Sequence, residues 1–386
     1  MTTDFYSLHG LLTDEQHLIQ QAVKDFVNKE VRPSIETWFE EEHFEASLFP
    51  KMGELGILGP TTSTTYGGVG LDNISYGLMM QEIESGDSGL RSAASVQGSL
   101  VMYPIEAFGS EEQKHKFLPD LSKGTLIGCF GLTEPDHGSN PSGMVTTIKD
   151  QGDHVLLCGT KMWISNSPIA DLAVVWAKNE EGRIQGIIVE KGMEGFTAPV
   201  IHGKLSLRAS ITGELVFDNV KIPKENILPN IDGLSGPLKC LDKARYGISW
   251  GAIGAAINCY ETAVKYSLER HQFGRPIGGF QLTQKKLAEM LTEITKAQLL
   301  SWRLGTLLNE GTATSAQISM AKRNNVAMAI DIAKEARQIL GGMGITNQYP
   351  IMRHIMNLES VVTYEGTHDI HLLILGKEIT GISAFE

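Results

Sequence analysis

The segment from Thr363 to His371 places one carboxylate, Glu365, between an aromatic ring and a glycine. Gly366 has no Cβ, so a cofactor or substrate can approach the backbone closely at this point. A carboxyl group among large apolar neighbours has a raised pKa, which suits a general base. Most isolated glutamates are solvated surface charges, however, so a catalytic role for Glu365 needs support from other parts of the chain.

Two segments in the first half of the chain carry groups that suit a polar aromatic ligand or a phosphate. The run from Cys129 to Asn140 includes Gly138-Ser139, which offers bare backbone amides and a hydroxyl. Trp163 and Ser165 are two residues apart, so on a strand they share a face and allow stacking together with a hydrogen bond. The structural alternatives are an ordinary turn that enters a β region and a core tryptophan.

Two further segments lie in the C-terminal half. Arg270-His-Gln-Phe273-Gly places a guanidinium at a predicted helix end, where it can bind a pyrophosphate through two hydrogen bonds. Gln338-Ile-Leu-Gly-Gly is a predicted helix terminus followed by paired glycines. The GxGxxG spacing is absent and no strand precedes this turn, so it is not a Rossmann fingerprint and a nucleotide would be held in another way.

Composition restricts the function classes. The chain has 386 residues, 42% hydrophobic and 20% charged, which is enough for two or three domains. The formal net charge of -12 argues against nucleic acid as the main partner. Short apolar runs predict no membrane helix, and the scattered cysteines predict no metal site. The first residues lack a signal or transit pattern, which predicts a cytoplasmic protein, or one of the mitochondrial matrix if a presequence was removed.

Three zones of different periodicity predict an α+β protein. Residues 1–129 show helical spacing, and a capping box at Thr13 and Gln16 begins the first helix. Residues 130–238 contain β-rich runs at 172–177, 186–189 and 215–220 between turn residues, which predicts a small β-barrel or sandwich. Residues 239–386 return to long helical patterns, one of them over 315–340, and predict a four-helix bundle.

Five motifs together carry a family resemblance. The Gly-Ser segment, the Trp-Ile-Ser-Asn strand, the Arg-x-x-Phe-Gly turn, the Gln-x-x-Gly-Gly turn and the Tyr-Glu-Gly-Thr segment occur in the order found in acyl-CoA dehydrogenases. The match spans nearly the whole chain, including the α-β-α layout. It implies FAD as the cofactor, an acyl-CoA substrate, an electron-transferring flavoprotein as electron acceptor, and a homotetramer.

Within this family, the chain is most similar to members that act on glutaryl-CoA. The similarity rests on Arg91–Gln97, Ala244–Ile248 and the run from Tyr364 to Phe385. It implies oxidative decarboxylation of glutaryl-CoA to crotonyl-CoA and CO2, a step in the degradation of lysine, hydroxylysine and tryptophan. Relatives that stop before decarboxylation differ near the positions of Tyr364 and Glu84, where this chain keeps Tyr and Glu.

The resemblance assigns Glu365 as the catalytic base and implies two further sets of contacts. Positions implied to bind the substrate are Glu84, Arg91, Ser92, Ser95, Ser139, Leu241, Asp242, Lys243, Ala244, Arg245, Tyr246, Gly247, Ile248, Tyr364 and Gly366. Positions implied to bind FAD, partly that of a neighbouring subunit, are Phe130, Leu132, Thr133, Gly138, Ser139, Trp163, Ile164, Ser165, Arg270, Phe273, Gln281, Gln338, Ile339, Leu340, Gly341, Gly342, Thr367, His368, Asp369 and Phe385.

Arg91 narrows the substrate class. A dehydrogenase for simple acyl chains needs an apolar end to its acyl pocket, where an unpaired guanidinium would be costly. A substrate with a second carboxylate removes that cost, because hydrogen bonds to charged groups contribute about 1.5–3 kcal/mol each. The structural alternative is a salt bridge between Arg91 and Glu84 or Asp87.

Other interpretations of the whole chain stay open at this point. They are a non-decarboxylating glutaryl-CoA dehydrogenase, a short- or branched-chain acyl-CoA dehydrogenase, an oxidase on the same fold, and a catalytically silent acyl-CoA-binding or scaffold protein. Arg91 counts against the short- and branched-chain interpretation. The presence of Glu365 counts against the silent protein, because an idle relative would be free to lose its base.

Overall fold

The computed structural model describes residues 4–384 and shows helices, then a β-sheet, then helices again, as predicted. The N-terminal helices are α1 (Asp14–Phe26), α2 (Ile35–Glu41), α3 (Leu48–Glu54), α4 (Asn73–Gly86), α5 (Ser88–Ser95), α6 (Tyr103–Phe108) and α7 (Glu111–Lys123). The predicted capping box begins α1. Thr13 Oγ1 accepts from the Gln16 amide at 3.2 Å, and Gln16 Oε1 accepts from the Thr13 amide at 3.0 Å. Both orphan amides of this helix end are therefore satisfied.

The middle part is a mixed sheet of short and long strands. Its members are β1 (Gly128–Gly131), β2 (Thr147–Asp150), β3 (His154–Ser165), β4 (Leu172–Lys178), β5 (Ile184–Glu190), β6 (Phe196–Thr197) and β7 (Thr212–Pro223). The strand order is β1-β4-β2-β3-β7-β6, and β5 also pairs with β4. The three β-rich runs of the sequence fall inside β4, β5 and β7. The antiparallel pair of β3 and β7 shifts register between Lys161 and Ile164, the point that carries Trp163.

The C-terminal part is a bundle of three long helices and two shorter ones within the described residues. It contains α8 (Ser235–Glu269), the hairpin β8 (His271–Gln272) and β9 (Arg275–Pro276), then α9 (Gln281–Asn309), α10 (Ser315–Leu340), α11 (Ile351–Thr363) and α12 (His368–Thr380). The helix predicted over 315–340 matches α10. Helices α8 and α10 pack along each other, and α10 also contacts α9, α11 and α12.

Close contact between α8 and α4 joins the N-terminal and C-terminal helices. A Cβ on Gly254 would lie 1.8 Å from the carbonyl oxygen of Gln81, and a Cβ on Gly251 would lie 2.0 Å from Glu84 Oε2. Only glycine permits two helices to approach this closely. The last turns of α4 are therefore pressed against the middle of α8, and Glu84 is buried at their contact.

No helix between residues 4 and 384 is both long enough and apolar enough to cross a bilayer.

Gly254→Ala tests the close contact between α4 and α8. The new methyl group meets the backbone of Gln81, which cannot rotate away as a side chain can. We expect a loss of about 1–3 kcal/mol of stability from overpacking, measured as a lower midpoint of chemical unfolding.

Gly376→Ala is the matched control, because Gly376 lies inside α12 and its Cβ would meet open space. This substitution should hold or raise stability, by up to about 1 kcal/mol from helix propensity. Equal effects of the two substitutions would contradict the packing argument.

Candidate active site

Arg91, Glu84 and Tyr364 form a buried contact between the N-terminal helices and the loop after α11. Arg91 on α5 and Glu84 on α4 are fully buried, and Arg91 Nε donates to Glu84 Oε2 at 2.6 Å. Arg91 Nη2 donates to the hydroxyl of Tyr364. Burial acts to lower the pKa of Arg91, but Tyr364, Glu84 and Glu365 outweigh it and raise that pKa above its ordinary value. Arg91 is therefore charged, and its salt bridge with Glu84 is formed.

Asp87 connects α5, which carries Arg91, to α11. Its Oδ1 accepts the amide of Gly89 at 2.7 Å and so caps α5. Its Oδ2 accepts from Arg353 Nη1 at 2.7 Å and from Asn357 Nδ2 at 2.8 Å, both on α11. Asp87 thus pairs with Arg353, and it is Glu84 that pairs with Arg91. One buried carboxylate orients both the helix of Arg91 and the helix that leads to Glu365.

Glu365 lies in the short connection between α11 and α12. Its φ of +52° is in the left-handed region, which few residues other than glycine adopt. Burial raises the pKa of the Glu365 carboxyl, while Arg91, Lys322 and Arg245 act to lower it. A carboxylate with a raised pKa is a stronger base near neutral pH than an exposed one.

The backbone of this connection is held by two cations. Arg245 Nε donates to the carbonyl oxygen of Glu365 at 2.8 Å. Lys322 Nζ donates to the carbonyl oxygens of Tyr364 at 3.0 Å and Gly366 at 2.9 Å. Three successive carbonyls are therefore bound by buried side chains, and these hydrogen bonds hold Glu365 in its left-handed conformation.

Sequence reasoning identified Arg245 but missed Lys322. Lys322 is fully buried on α10, on the same face as the buried Ile318, Val326 and Ala329. A lysine at an apolar position of a helix is rarely buried without a partner, so its place in the pattern was an available signal. The partner itself, more than forty residues further along the chain, could not be read from the pattern.

Three polar atoms of this cluster are buried without a hydrogen-bond partner among the described residues. They are Arg91 Nη1, Ser95 Oγ and Glu365 Oε2. Buried polar atoms are nearly always paired in folded proteins, so the three together indicate a place where a polar ligand completes the site. A cation, a hydroxyl and a carboxylate are thus available to one ligand.

A surface that can stack against a planar ligand lies in the β-sheet part of the chain, around Trp163; we call it the Trp163 platform. The backbone of Trp163 is left-handed, with φ of +62°, and its indole is 56% exposed. The neighbouring Met162 amide donates to the carbonyl of Thr133 at 2.9 Å, so the strand of Trp163 is joined to the run of Phe130, Leu132 and Thr133. An exposed indole on a rigid strand is suited to stacking against a planar ligand.

A buried ion pair holds this platform together. Lys161 Nζ donates to Glu134 Oε1 at 2.9 Å and to the carbonyl of Leu132 at 3.0 Å. Glu134 also accepts the amides of Val145 and Thr146 at 2.6 and 2.9 Å. Burial alone would raise the pKa of Glu134, but Thr146, Val145 and Lys161 hold that pKa at about 2. The pair therefore fixes the loop that contains Gly138 and Ser139, both of which are exposed.

The α8 residues of the sequence prediction divide into two groups. Leu241, Asp242 and Lys243 are partly exposed, whereas Ala244 to Ile248 are buried. Tyr246 donates its hydroxyl to the carbonyl of Asn73 at 2.7 Å, and Arg245 is bound to Asp242 and to the backbone of Glu365. A helix presents only one face to a ligand. The accessible part of this segment is therefore its partly exposed beginning, Leu241 to Lys243.

The remaining predicted residues separate into a near group and a distant group. Thr367 caps α12, with His368 and Asp369 in its first turn beside Glu365. Ser92 is buried on α5, and Ile164 and Ser165 end β3 next to Trp163. The distant group consists of Arg270, Phe273, Gln281, Gln338, Ile339, Leu340, Gly341 and Gly342. Phe385 lies outside the described residues.

The distant group lies far from Glu365 because α8 is long. Arg270 caps the C-terminal end of α8, while Arg245 is near its beginning. Twenty-five residues of helix separate them by about 37 Å. Phe273, in the hairpin that follows, is 93% exposed. Within residues 4–384, no group of three or more His, Cys, Asp or Glu side chains is placed to hold a metal ion.

Comparison with known proteins covers almost the entire chain. Three family models match: the acyl-CoA dehydrogenase N-terminal domain over residues 13–125, the middle domain over 129–220 and the C-terminal domain over 232–380. A crystal structure of a glutaryl-CoA dehydrogenase from Mycobacterium smegmatis in complex with FADH2 is 48% identical, covers 100% of this chain and 99% of its own, and has a TM-score of 0.98.

Two curated relatives are equally similar to this chain but have different substrates in their names. Glutaryl-CoA dehydrogenase of Desulfococcus multivorans is 36% identical over 96% of this chain and 98% of its own length. The mitochondrial short-chain specific acyl-CoA dehydrogenase of Rattus norvegicus is 36% identical over 95% of this chain and 90% of its own length. Because the two relatives have the same sequence identity to this chain, identity alone favours neither substrate.

Glu134→Gln tests the ion pair beneath the Trp163 platform. The pKa of Glu134 is about 2 in the folded protein and about 4.3 in an unfolded chain. The stabilisation from its charge is therefore complete well above about pH 4.3 and is lost as the pH falls toward 2. The difference between the unfolding midpoints of the parent and Glu134→Gln should be clear at neutral pH, should be smaller at pH 3 and should vanish toward pH 2.

Glu54→Gln is the control for this comparison, because Glu54 is an exposed carboxylate at the end of α3. Its effect should be small and nearly independent of pH. A difference for Glu134→Gln that stays constant from neutral pH to pH 3 would contradict the assigned role of the charge.

Proposed function

The chain belongs to the acyl-CoA dehydrogenase family, and we propose that it oxidises glutaryl-CoA with FAD and releases crotonyl-CoA and CO2. Electrons would pass to an electron-transferring flavoprotein. The observation that carries the choice of substrate is Arg91. It is fully buried in the same cluster as Glu365, and its Nη1 has no partner among the described residues.

The salt bridge with Glu84 does not remove the need for a polar substrate. Glu84 binds only Nε of Arg91, and Tyr364 binds Nη2. The donor that remains, Nη1, is too costly to leave against the apolar end of a simple acyl chain. A carboxylate at the far end of the substrate satisfies this donor, and a butyryl group does not.

The described residues fit FAD. The exposed side chain of Trp163 offers a planar surface, and the hydroxyl of Thr133 and the first turn of α12 offer polar atoms. His368 Nε2 is a further buried polar atom without a partner among the described residues. When bound, the flavin supplies the acceptor for a hydride from the β-carbon of the substrate.

The protein itself moves the proton. Glu365 removes a proton from the α-carbon of the thioester, and burial makes its carboxylate basic enough for that task. We assign the backbone amide of Glu365 to the thioester oxygen, where it stabilises the negative charge that develops. The cations that bind the neighbouring carbonyls keep this amide and the carboxylate in one fixed relation.

Decarboxylation would then use the same groups. The bond between the γ-carbon and the distal carboxylate breaks, CO2 leaves, and its electron pair passes into the conjugated thioester. Glu365, which now carries the α-proton, returns a proton to the γ-carbon and completes crotonyl-CoA. Glu84 and Tyr364, the positions near which non-decarboxylating relatives differ, both bind Arg91. Their presence supports the decarboxylating reaction over the alternative that stops at the first product.

The distant group of predicted residues supports a role between subunits. Arg270 lies about 37 Å of helix from the level of Arg245, and Lys286 near the start of α9 donates to Gln338 near the end of α10. We assign this group to the FAD diphosphate and adenosine of a neighbouring copy, in a homotetramer.

Anaerobic reaction with glutaryl-CoA tests the proposal directly. The protein loaded with FAD should be yellow, and glutaryl-CoA should bleach the flavin and yield crotonyl-CoA and CO2 in equal amounts. Glu365→Gln should bind FAD and glutaryl-CoA but bleach at least about a hundred- to ten-thousand-fold more slowly, the usual contribution of a general base.

Each outcome separates one part of the proposal. Bleaching without CO2 would identify a non-decarboxylating dehydrogenase. Glu365→Gln that bleaches at the parent rate would show that another residue is the base. A protein that stays colourless when supplied with FAD would exclude the enzyme altogether.

Arg91→Met combined with Glu84→Gln tests the substrate class. The double substitution removes the guanidinium without leaving an unpaired buried carboxylate, which would destabilise the fold by itself. We expect kcat/KM for glutaryl-CoA to fall at least about tenfold, the loss of one charged hydrogen bond of 1.5–3 kcal/mol, while that for butyryl-CoA stays equal or rises. Equal losses for both substrates would contradict recognition of a carboxylate by Arg91.

A further inference from the structure

Lys322 is a buried cation next to the Glu365 connection, and the proposed mechanism uses its hydrogen bonds but not its charge. We propose that Lys322 is a positioning residue for Glu365: its ammonium group anchors the left-handed turn and places a positive charge near the Glu365 carboxylate. This inference rests on the proposed role of Glu365 as the base.

The anchor is visible in the hydrogen bonds. Lys322 Nζ binds the carbonyls immediately before and after Glu365, while Arg245 binds the carbonyl of Glu365 itself. A left-handed backbone at a glutamate costs about 1–3 kcal/mol, and it persists only when the surrounding structure enforces it. The direction of the carboxylate depends on this backbone conformation, so releasing the two outer carbonyls would let the base turn away from the substrate.

The charge acts through the low polarity of the site. Charged and titratable groups that face Lys322 come from α5, α8, the connection after α11, and α12; they are Arg91, Arg245, Tyr364, Glu365, His368 and His371. Burial lowers the pKa of Lys322 to about 7, with Glu365 acting against this effect. Burial also lowers the pKa of His371 to about 3. His371 is therefore neutral near pH 7.

Lys322 acts on the base differently from the two arginines around it. Arg91 is neutralised by Glu84 and Arg245 by Asp242. Lys322 bonds only to neutral carbonyls in the hydrogen bonds of the described chain, so its positive charge is compensated chiefly by Glu365. Removing that charge should therefore raise the pKa of Glu365, because the ionised carboxylate loses its favourable neighbour.

The alternative is a purely structural lysine. Tyr364 is the C-cap residue of α11. Lysines commonly bind the last carbonyls of a helix without any catalytic effect. A structural lysine would affect stability alone. A positioning lysine would also change the pH dependence of the base and the protection of the turn.

Lys322→Met removes both anchor and charge, and Lys322→Gln keeps a hydrogen-bond donor without the charge. In single-turnover bleaching by glutaryl-CoA, the ascending limb of the pH profile should move to higher pH in both variants. A shift of one pH unit lowers the rate about tenfold below the midpoint. In the protein without acyl-CoA, amide hydrogen exchange of residues 364–367 should accelerate in Lys322→Met and less in Lys322→Gln.

Lys204→Met is the matched control. Lys204 is a half-buried lysine that, like Lys322, binds two carbonyls near a left-handed residue, those of Leu207 and Ser210. Its charge faces Glu42 and Asp87. Its loss should lower the unfolding midpoint and leave both the pH profile and the exchange of residues 364–367 unchanged.

Two results would overturn the inference: Lys322 variants with the parent pH profile and parent exchange, or a Lys204→Met variant that shows the same shifts. If Lys322→Met does not fold, the pH profile of Lys322→Gln tests the inference by itself: a shift of the ascending limb to higher pH supports it, and the parent profile contradicts it. Failure of the proposed function would be seen separately, as bleaching retained in Glu365→Gln, while the exchange measurement reports on the anchor whatever the base is.

Discussion

The buried contact of Glu84, Arg91 and Tyr364 is the interaction on which the rest of the site depends. It joins α4 and α5 to the connection after α11, which are separated by more than 250 residues in sequence. A buried salt bridge is expensive unless its geometry and its further hydrogen bonds are good. Here the glycine at position 251 leaves the space for Glu84, and Asp87 fixes α5 against α11. The pair therefore fixes the N-terminal helices against the connection that carries Glu365.

The site combines strain with strong anchoring. Glu365 and Trp163, which we propose as the base and as a flavin contact, both have left-handed backbones. Each is held by a buried lysine: Lys322 binds the carbonyls around Glu365, and Lys161 binds the loop next to Trp163. A backbone in a sparsely populated conformation persists only when its surroundings enforce it. Two lysines in unrelated parts of the fold serve this purpose.

The electrostatics of the cluster follow from burial. Desolvation raises the pKa of Glu365 and lowers that of Lys322, while their mutual attraction opposes both changes. Each group therefore limits the effect of burial on the pKa of the other. The unpartnered Nη1 of Arg91 adds a donor at the far end of the cluster. In the proposed function, Glu365 is the base at one end of the substrate and Arg91 is the cation at the other.

The sequence by itself determined the α-β-α layout, the helix over 315–340, the capping box at Thr13 and the family. These features depend on local periodicity and on ordered motifs. It also singled out Glu365 and Arg91, because their neighbours in the chain are distinctive. Only the tertiary structure decided that Arg91 pairs with Glu84 and not with Asp87, that Glu365 is left-handed, and that Lys322 lies beneath it. Those facts depend on packing between helices far apart in sequence, where the approach of two backbones and the burial of a charge are set by the whole fold.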